Sequence, residues 1–202
     1  MQIKIITIRH GQSEANIDPS LYFKKPDHKI ELTTLGKEQI TTSAINLKNQ
    51  LPSGKTRIVY SPWVRARQSA TILKDILKVD SQYFYEDALI HEISLSHSLD
   101  EMKNQKPFFF NDKEAYSQYW FKDGTGESYN DVYLRARIFY QDLLLNRYNM
   151  KEGETLLVVA HSLFLQIFNI VVNKGNIDTL FSYSEIPNGE GYTYLLNVLD
   201  YN

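Results

Sequence analysis

At 202 residues, with 43% hydrophobic and 23% charged side chains, the chain has the composition of a soluble globular domain large enough for one well-buried core. A net charge of -2 supplies no general basic field for nucleic acid or an anionic membrane, so any anion recognition has to be local. The absence of cysteine excludes disulfides, thiolate nucleophiles, Fe–S clusters and cysteine-based zinc sites.

Ile3, Ile5, Ile6 and Ile8 form a β-branched run that predicts a strand buried on both faces. Its end switches abruptly to Arg9-His10-Gly11, a cation, an imidazole and a residue that lets backbone approach closely. That change comes too early for a cleavable signal, and no apolar stretch approaches the roughly 18–20 residues that span a bilayer. The expectation is a cytoplasmic protein with no membrane or nucleic-acid partner. Residues 17–32 read as a long loop, broken by Pro19 and Pro26, with Lys24, Lys25, His28 and Lys29 either solvated or forming a rim that attracts a charged substrate.

Thr33 or Thr34 caps a predicted helix to about residue 50, with Ile40, Ala44, Leu47 and Leu51 on one face, and Pro52-Ser53-Gly54 ends it. A short strand over 57–60 turns at Ser61-Pro62 into a second helix. Ala66, Ala70, Leu73 and Leu77 are its buried stripe and Arg65 sits in its first turn. A third strand over 83–85 leads to Ile90-His91-Glu92.

Residues 93–126 are irregular and aromatic-rich, with Phe108, Phe109, Phe110, Tyr116, Tyr119, Trp120 and Phe121. They read as an insertion over the C-terminal strand ends, partly helical around 113–121, whose aromatics form core or line a pocket. Gly126-Glu127-Ser128 opens a long helix with Val132, Ala136, Phe139 and Leu143 at helical spacing. Residues 156–160 are the strongest buried-strand signal, followed by His161-Ser162, a helix over 163–172 and a last strand over 192–198. The alternation predicts a three-layer α/β/α fold with a mainly parallel central sheet, in a single domain over 1–202.

Arg9-His10, Arg65, Glu92 and His161 each follow a predicted strand, so a parallel sheet brings them to one edge. Two arginines repel metal cations but offer forked donors to a phosphoryl group. His91 and His97 are six residues apart where a zinc-protease helix needs four, so no metal is expected there. Gly124-x-Gly126 and Gly189-x-Gly191 lack a dinucleotide fingerprint and read as turns.

In this constellation the sequence resembles the histidine phosphatase superfamily, in its phosphoglycerate mutase-like branch. Arg9-His10-Gly11-x-Ser13-x-x-Asn16, Leu32-Thr33-x-x-Gly36-x-x-Gln39 and Ser61-Pro62-x-x-Arg65-Ala66-x-Gln68-x-Ala70 carry the likeness, followed by Ile90-x-Glu92, Gly126-Glu127-Ser128-x-x-Asp131-Val132-x-x-Arg135 and Val159-Ala160-His161. The resemblance implies His10 as the nucleophile that becomes phosphohistidine, with Arg9, Arg65 and His161 clamping the phosphoryl oxygens. It further implies Asn16 as a side-chain donor and Glu92 as general acid, with Ser162 offering a backbone N–H. Two positions depart from the family pattern: Ser162 stands where glycine is usual, and Gln166 where arginine often follows.

The expected activity is a metal-independent and cofactor-free phosphatase for small phosphorylated metabolites, as a monomer or homodimer. The likeness is nearest the family's broad-specificity phosphatases. A cofactor-dependent phosphoglycerate mutase and a non-catalytic phospho-ligand-binding protein are the alternatives.

Overall fold

The computed structural model describes residues 1–51, 54–94, 120 and 125–199. Five strands, β1 (Gln2–Arg9), β2 (Thr56–Tyr60), β3 (Phe84–Glu86), β4 (Thr155–Ala160) and β5 (Thr193–Asn197), form one sheet in the order β3-β2-β4-β1-β5. The first four run parallel, with Ile5 opposite Leu156, Ile58 opposite Leu157 and Val59 opposite Tyr85. Only β5 is antiparallel, with Ile5 opposite Tyr194.

The pleat sends alternate side chains of β4 to opposite faces, and each face has its own helical cover. Leu156 and Val158 join Ile3 and Ile5 beneath α4 (Tyr129–Leu144) and α5 (Ser162–Val172), where Phe139, Phe164 and Phe168 fill the layer. Leu157 and Val159 join Ile8 and Ile58 beneath α2 (Thr34–Lys48) and α3 (Val64–Leu77), packed by Ile40, Ala44, Ala70 and Leu73. All six residues of β4 are buried, as a strand covered on both faces requires. Thr33 caps α2 by accepting the Gly36 N–H at 3.0 Å, and Ser128 caps α4 in a reciprocal box with Asp131.

The expected three layers and mainly parallel sheet are present. Differences are local. The expected loop over 17–32 contains two 3-10 turns, Pro19–Phe23 and Asp27–Lys29, and is preceded by a short helix α1 (Glu14–Ile17). Proline at the first position of a 3-10 turn needs no N–H partner, so Pro19 starts structure there instead of preventing it. A further 3-10 turn, Ile177–Ser182, joins α5 to β5. The third strand starts one residue later than its aromatic run suggests. Pro52, Ser53, His97, the aromatics at 108–110, 116, 119 and 121, and the helix expected around 113–121 lie outside the described residues; Trp120 is exposed. No helix among the described residues is long and apolar enough to cross a membrane.

Candidate active site

The four parallel strands end on one side of the sheet, and the polar residues that follow them meet there. β1 ends at Arg9, and the turn after it is fixed by backbone contact. A Cβ built on Gly11 would lie 2.1 Å from the Gly36 carbonyl oxygen, and one on Gly36 would lie 2.0 Å from that of Gln12. Only glycine admits that approach, so the Arg9-His10-Gly11 turn is seated on the first turn of α2. The Gly11 N–H donates to Ser69 Oγ at 3.2 Å, and Asn188 Nδ2 donates to the His10 carbonyl at 2.9 Å.

His10 Nδ1 lies 2.7 Å from the Gly11 carbonyl oxygen. A carbonyl only accepts, so the proton resides on Nδ1 and the lone pair on Nε2. Toward that lone pair Arg65 Nε donates at 3.2 Å. Burial, with the positive charges of Arg65 and Arg9, holds the His10 pKa well below its ordinary 6.5. The imidazole is therefore neutral and nucleophilic well into the acid range.

Both arginines are buried and directed by carboxylates. Arg65 Nη1 donates to Asp27 Oδ1 at 2.7 Å and to the Asp27 carbonyl at 2.9 Å, and the guanidinium lies 4.7 Å from the Trp63 ring centre. Arg9 Nη2 pairs with Glu185 Oε1 at 2.6 Å, and its Nη1 donates to the Ile186 carbonyl at 2.5 Å. Arg9 Nε is buried without a partner. His161 is fully buried, its ring centre 5.1 Å from that of His10, with Nε2 2.8 Å from Ser61 Oγ and Nδ1 unpartnered. Burial first, then Arg65, lowers the pKa of His161 well below 6.5. A buried polar atom without a partner costs about 1–3 kcal/mol, which a hydrogen-bonding ligand would relieve; Arg9 lines a cavity beside His10, whereas His161 is not among that cavity's lining residues.

A cavity of about 530 Å³ opens beside this cluster, lined by Arg9, His10, Asn16, Arg65, Glu92 and Ser162 among the residues expected from the sequence. Asn16 Oδ1 accepts from the Ser13 N–H at 2.9 Å and Ser13 Oγ at 3.1 Å, which leaves its amide NH2 as the free donor. Glu92 Oε1 accepts from the Ile93 N–H at 2.9 Å and Oε2 from the Leu163 N–H at 3.3 Å. Burial outweighs these bonds and raises the Glu92 pKa above its ordinary 4.5.

The turn that carries Glu92 is clamped from α4. Arg135 Nη1 donates to the carbonyls of Leu89 at 2.6 Å and His91 at 3.2 Å, while its other nitrogens grip both oxygens of Glu127 at 2.7 and 2.9 Å. Glu127 in turn accepts from the Ser94 N–H at 3.0 Å.

The two departures from the family pattern share one partner, the segment 184–189. Ser162 Oγ accepts from the Ile186 N–H at 3.3 Å, and Gln166 Nε2 donates to the Ser184 carbonyl at 2.8 Å. Together with Arg9 they strap that segment across the cavity's edge, and Gln166 itself lines the cavity.

The sequence reading missed Pro19, Tyr22, Phe23 and Glu185 as cavity residues, and did not assign Asp27 a partner. The only local signal was the pair of aromatics inside a basic loop. The lysines of that loop do not line the cavity: Lys25 pairs with Glu14 and Lys24 with Asp18, and His28 is exposed. It is the loop's carboxylate that reaches the site.

A family model described as the histidine phosphatase superfamily (branch 1) matches residues 5–188. Two phosphoglycerate mutase-like proteins of Arabidopsis thaliana are each 27% identical, over 93% and 82% of this chain. The chain spans only 63% and 64% of their lengths. Among solved structures, a mycobacterial glucosyl-3-phosphoglycerate phosphatase superposes with a TM-score of 0.72 at 18% identity, covering 94% of this chain and 88% of its own. A phosphoserine phosphatase variant from Entamoeba histolytica gives 0.67 at 20%, and a putative alpha-ribazole-5'-P phosphatase from Escherichia coli 0.66 at 19%, each covering 96% of this chain and 89% of its own. At such identities the likeness to these structures is one of fold.

Proposed function

Because the chain belongs to the histidine phosphatase superfamily, branch 1, we propose that it is a metal-independent phosphomonoesterase acting on small phosphorylated metabolites through a phosphohistidine. The observation that carries this reading is the state of His10: buried, neutral, with its proton on Nδ1 and its lone pair on Nε2 facing a guanidinium.

In the first step Nε2 of His10 attacks phosphorus, and the bond from phosphorus to the ester oxygen breaks. Glu92, whose pKa burial raises, gives its proton to the departing oxygen. Arg65 Nε leaves the lone pair it occupies in the free enzyme and donates to a phosphoryl oxygen, while Asp27 keeps hold of Nη1. Arg9 Nε, the Asn16 amide and His161 Nδ1 supply further donors for the oxygens that gain charge. Donation from His161 Nδ1 requires the Ser61 hydroxyl to donate to Nε2 in the neutral imidazole. In the second step Glu92 takes a proton from water, whose oxygen attacks phosphorus and releases His10 and inorganic phosphate. Positive charge for both steps comes from guanidinium groups instead of a metal ion.

Rapid quenching during turnover tests this reading. An acid-labile, base-stable phosphoryl label should map to His10, His10→Ala should abolish both label and activity, and EDTA should leave the rate unchanged. A label elsewhere, an active alanine variant, or loss restored by Mg²⁺ or Zn²⁺ contradicts it. The mutase-like names of the curated relatives support a second reading, return of the phosphoryl group to another hydroxyl of the same substrate. Release of inorganic phosphate at the rate of substrate consumption separates hydrolysis from that transfer.

A further inference from the structure

We infer that the site selects phosphomonoesters whose leaving group carries no second negative charge, being uncharged or cationic where it passes Glu185. The inference rests on the phosphatase reading above and names the substrate class of that same site.

The described walls of the cavity carry two guanidinium groups and three carboxyl groups, and each guanidinium is paired with one of the carboxylates. Arg65 is matched by Asp27 and Arg9 by Glu185, each carboxylate oxygen lying within 2.7 Å of its partner nitrogen, and all four residues line the cavity. In the proposed mechanism Glu92 enters the reaction protonated, the direction in which burial moves its pKa, and His10 neutral, so in that mechanism neither adds charge to the two pairs. A bound phosphoryl group already places net negative charge in an electrically balanced site, and it occupies the free donors of Arg9, Asn16 and His161. No lysine or further arginine lines the cavity among the described residues.

The two carboxylates sit at different depths. The Asp27 side chain is 15% exposed and lies on Arg65, which touches His10. The Glu185 side chain is 69% exposed and marks the mouth. Pro19, Tyr22, Phe23, Ile93 and Leu163 give the same cavity apolar surface. A leaving group that extends from the phosphoryl site toward solvent has that apolar surface to pack on and the exposed Glu185 carboxylate to pass. A carboxylate or second phosphate there meets Glu185, whose charge already engages Arg9, and no further cation among the described lining residues answers it, whereas an ammonium gains a carboxylate partner.

Phenyl, 4-carboxyphenyl and 4-(aminomethyl)phenyl phosphate have leaving groups of similar basicity and differ in distal charge. With the wild-type enzyme at low ionic strength, where charge effects are least screened, kcat/KM for the carboxylated ester should fall at least ~10-fold below that for phenyl phosphate, as expected of like charges at reduced dielectric. The aminomethyl ester should match or exceed phenyl phosphate. Glu185→Lys should move the ratio of carboxylated to aminomethyl ester at least ~10-fold toward the carboxylate, with Glu185→Gln between. Equal use of the carboxylated and neutral esters by wild type overturns the inference. So does a ratio that neither variant moves, or loss of activity on all three esters in both variants, which would make Glu185 only a support for Arg9. No hydrolysis of any ester by wild type sinks the phosphatase reading and this inference together, whereas hydrolysis without charge discrimination sinks the inference alone.

Discussion

Arg65 Nε donates to His10 Nε2 across 3.2 Å, so one guanidinium adds to burial in depressing the imidazole pKa and also engages the ring's free lone pair. Asp27 fixes that guanidinium through Nη1 at 2.7 Å, leaving Nε aimed at His10. Arg65→Lys keeps the charge and loses the planar fork that can hold Asp27 and a phosphoryl oxygen together. Turnover should fall at least ~10²-fold, the range for losing one donor to the transition state. Steady-state rates on an aryl phosphate check this, and a lysine variant at wild-type rate would reduce Arg65 to a remote charge.

Burial raises the Glu92 pKa and lowers that of His10, which fixes the sign of the pH dependence. The proposed mechanism needs His10 unprotonated and Glu92 protonated. Rates should decline on the acid side only well below 6.5, and on the alkaline side as pH rises through the Glu92 pKa, above 4.5. In Glu92→Gln, alkyl phosphates should suffer far more than p-nitrophenyl phosphate, whose leaving group needs little help from a proton. With the nitrophenyl ester a burst should precede slow turnover, because dephosphorylation loses its base. An equal loss for both ester classes with no burst would move the acid role to another carboxylate.

Arg135 acts on Glu92 through backbone, by holding the Leu89 and His91 carbonyls and the Glu127 carboxylate. Arg135→Met keeps much of the stem's packing and removes those donors, leaving a carboxylate and two carbonyls short of partners. Stability should drop by about 1–3 kcal/mol. A displaced acid should also lower kcat about 10-fold or more on alkyl phosphates and much less on p-nitrophenyl phosphate, since small misplacements near the reacting atoms are costly. A melting shift with equal losses on both esters would make Arg135 purely structural.

Gly36 tests how firmly the His10 turn is seated. Alanine would gain up to about 1 kcal/mol of helix propensity over glycine. Its Cβ, however, would sit 2.0 Å from the Gln12 carbonyl oxygen, a backbone atom that cannot swing aside. Overpacking of this kind costs about 1–3 kcal/mol or more, so the clash wins. Gly36→Ala should melt at lower temperature and turn over slowly, because relief requires moving the segment two residues from His10. Wild-type melting and kcat would show that the two turns are not in tight contact.

The sequence by itself determined what depends on short-range pattern. Ile3 to Ile8 and 156–160 read as strands buried on both faces because continuous apolar runs have few other uses in an α/β protein; both lie inside the sheet, 156–160 buried throughout and the first strand open in part at Lys4 and Ile6. The stripes Ala66-Ala70-Leu73 and Val132-Ala136-Phe139-Leu143 placed their helices by the 3.6-residue period. Placing Arg9, His10, Arg65, Glu92 and His161 at one sheet edge followed from a topological rule: each comes after a strand, and parallel strands end on one side.

Tertiary structure alone decided what depends on distant contacts. Arg9 meets Glu185 and Ile186 across 176 and 177 positions, and Arg65 meets Asp27 across 38. No local periodicity encodes which carboxylate will face which guanidinium, because burial is patterned residue by residue while ion pairs form only after the strands have brought separate loops together. The reversal of β5 is of the same kind, since a half-exposed alternating strand pairs equally well by pattern in either direction. Ser162 and Gln166 looked like isolated departures along the chain. In the fold they are two anchors of one strap, because one helical turn puts residues four apart on the same face, and the segment they hold returns from twenty residues further on.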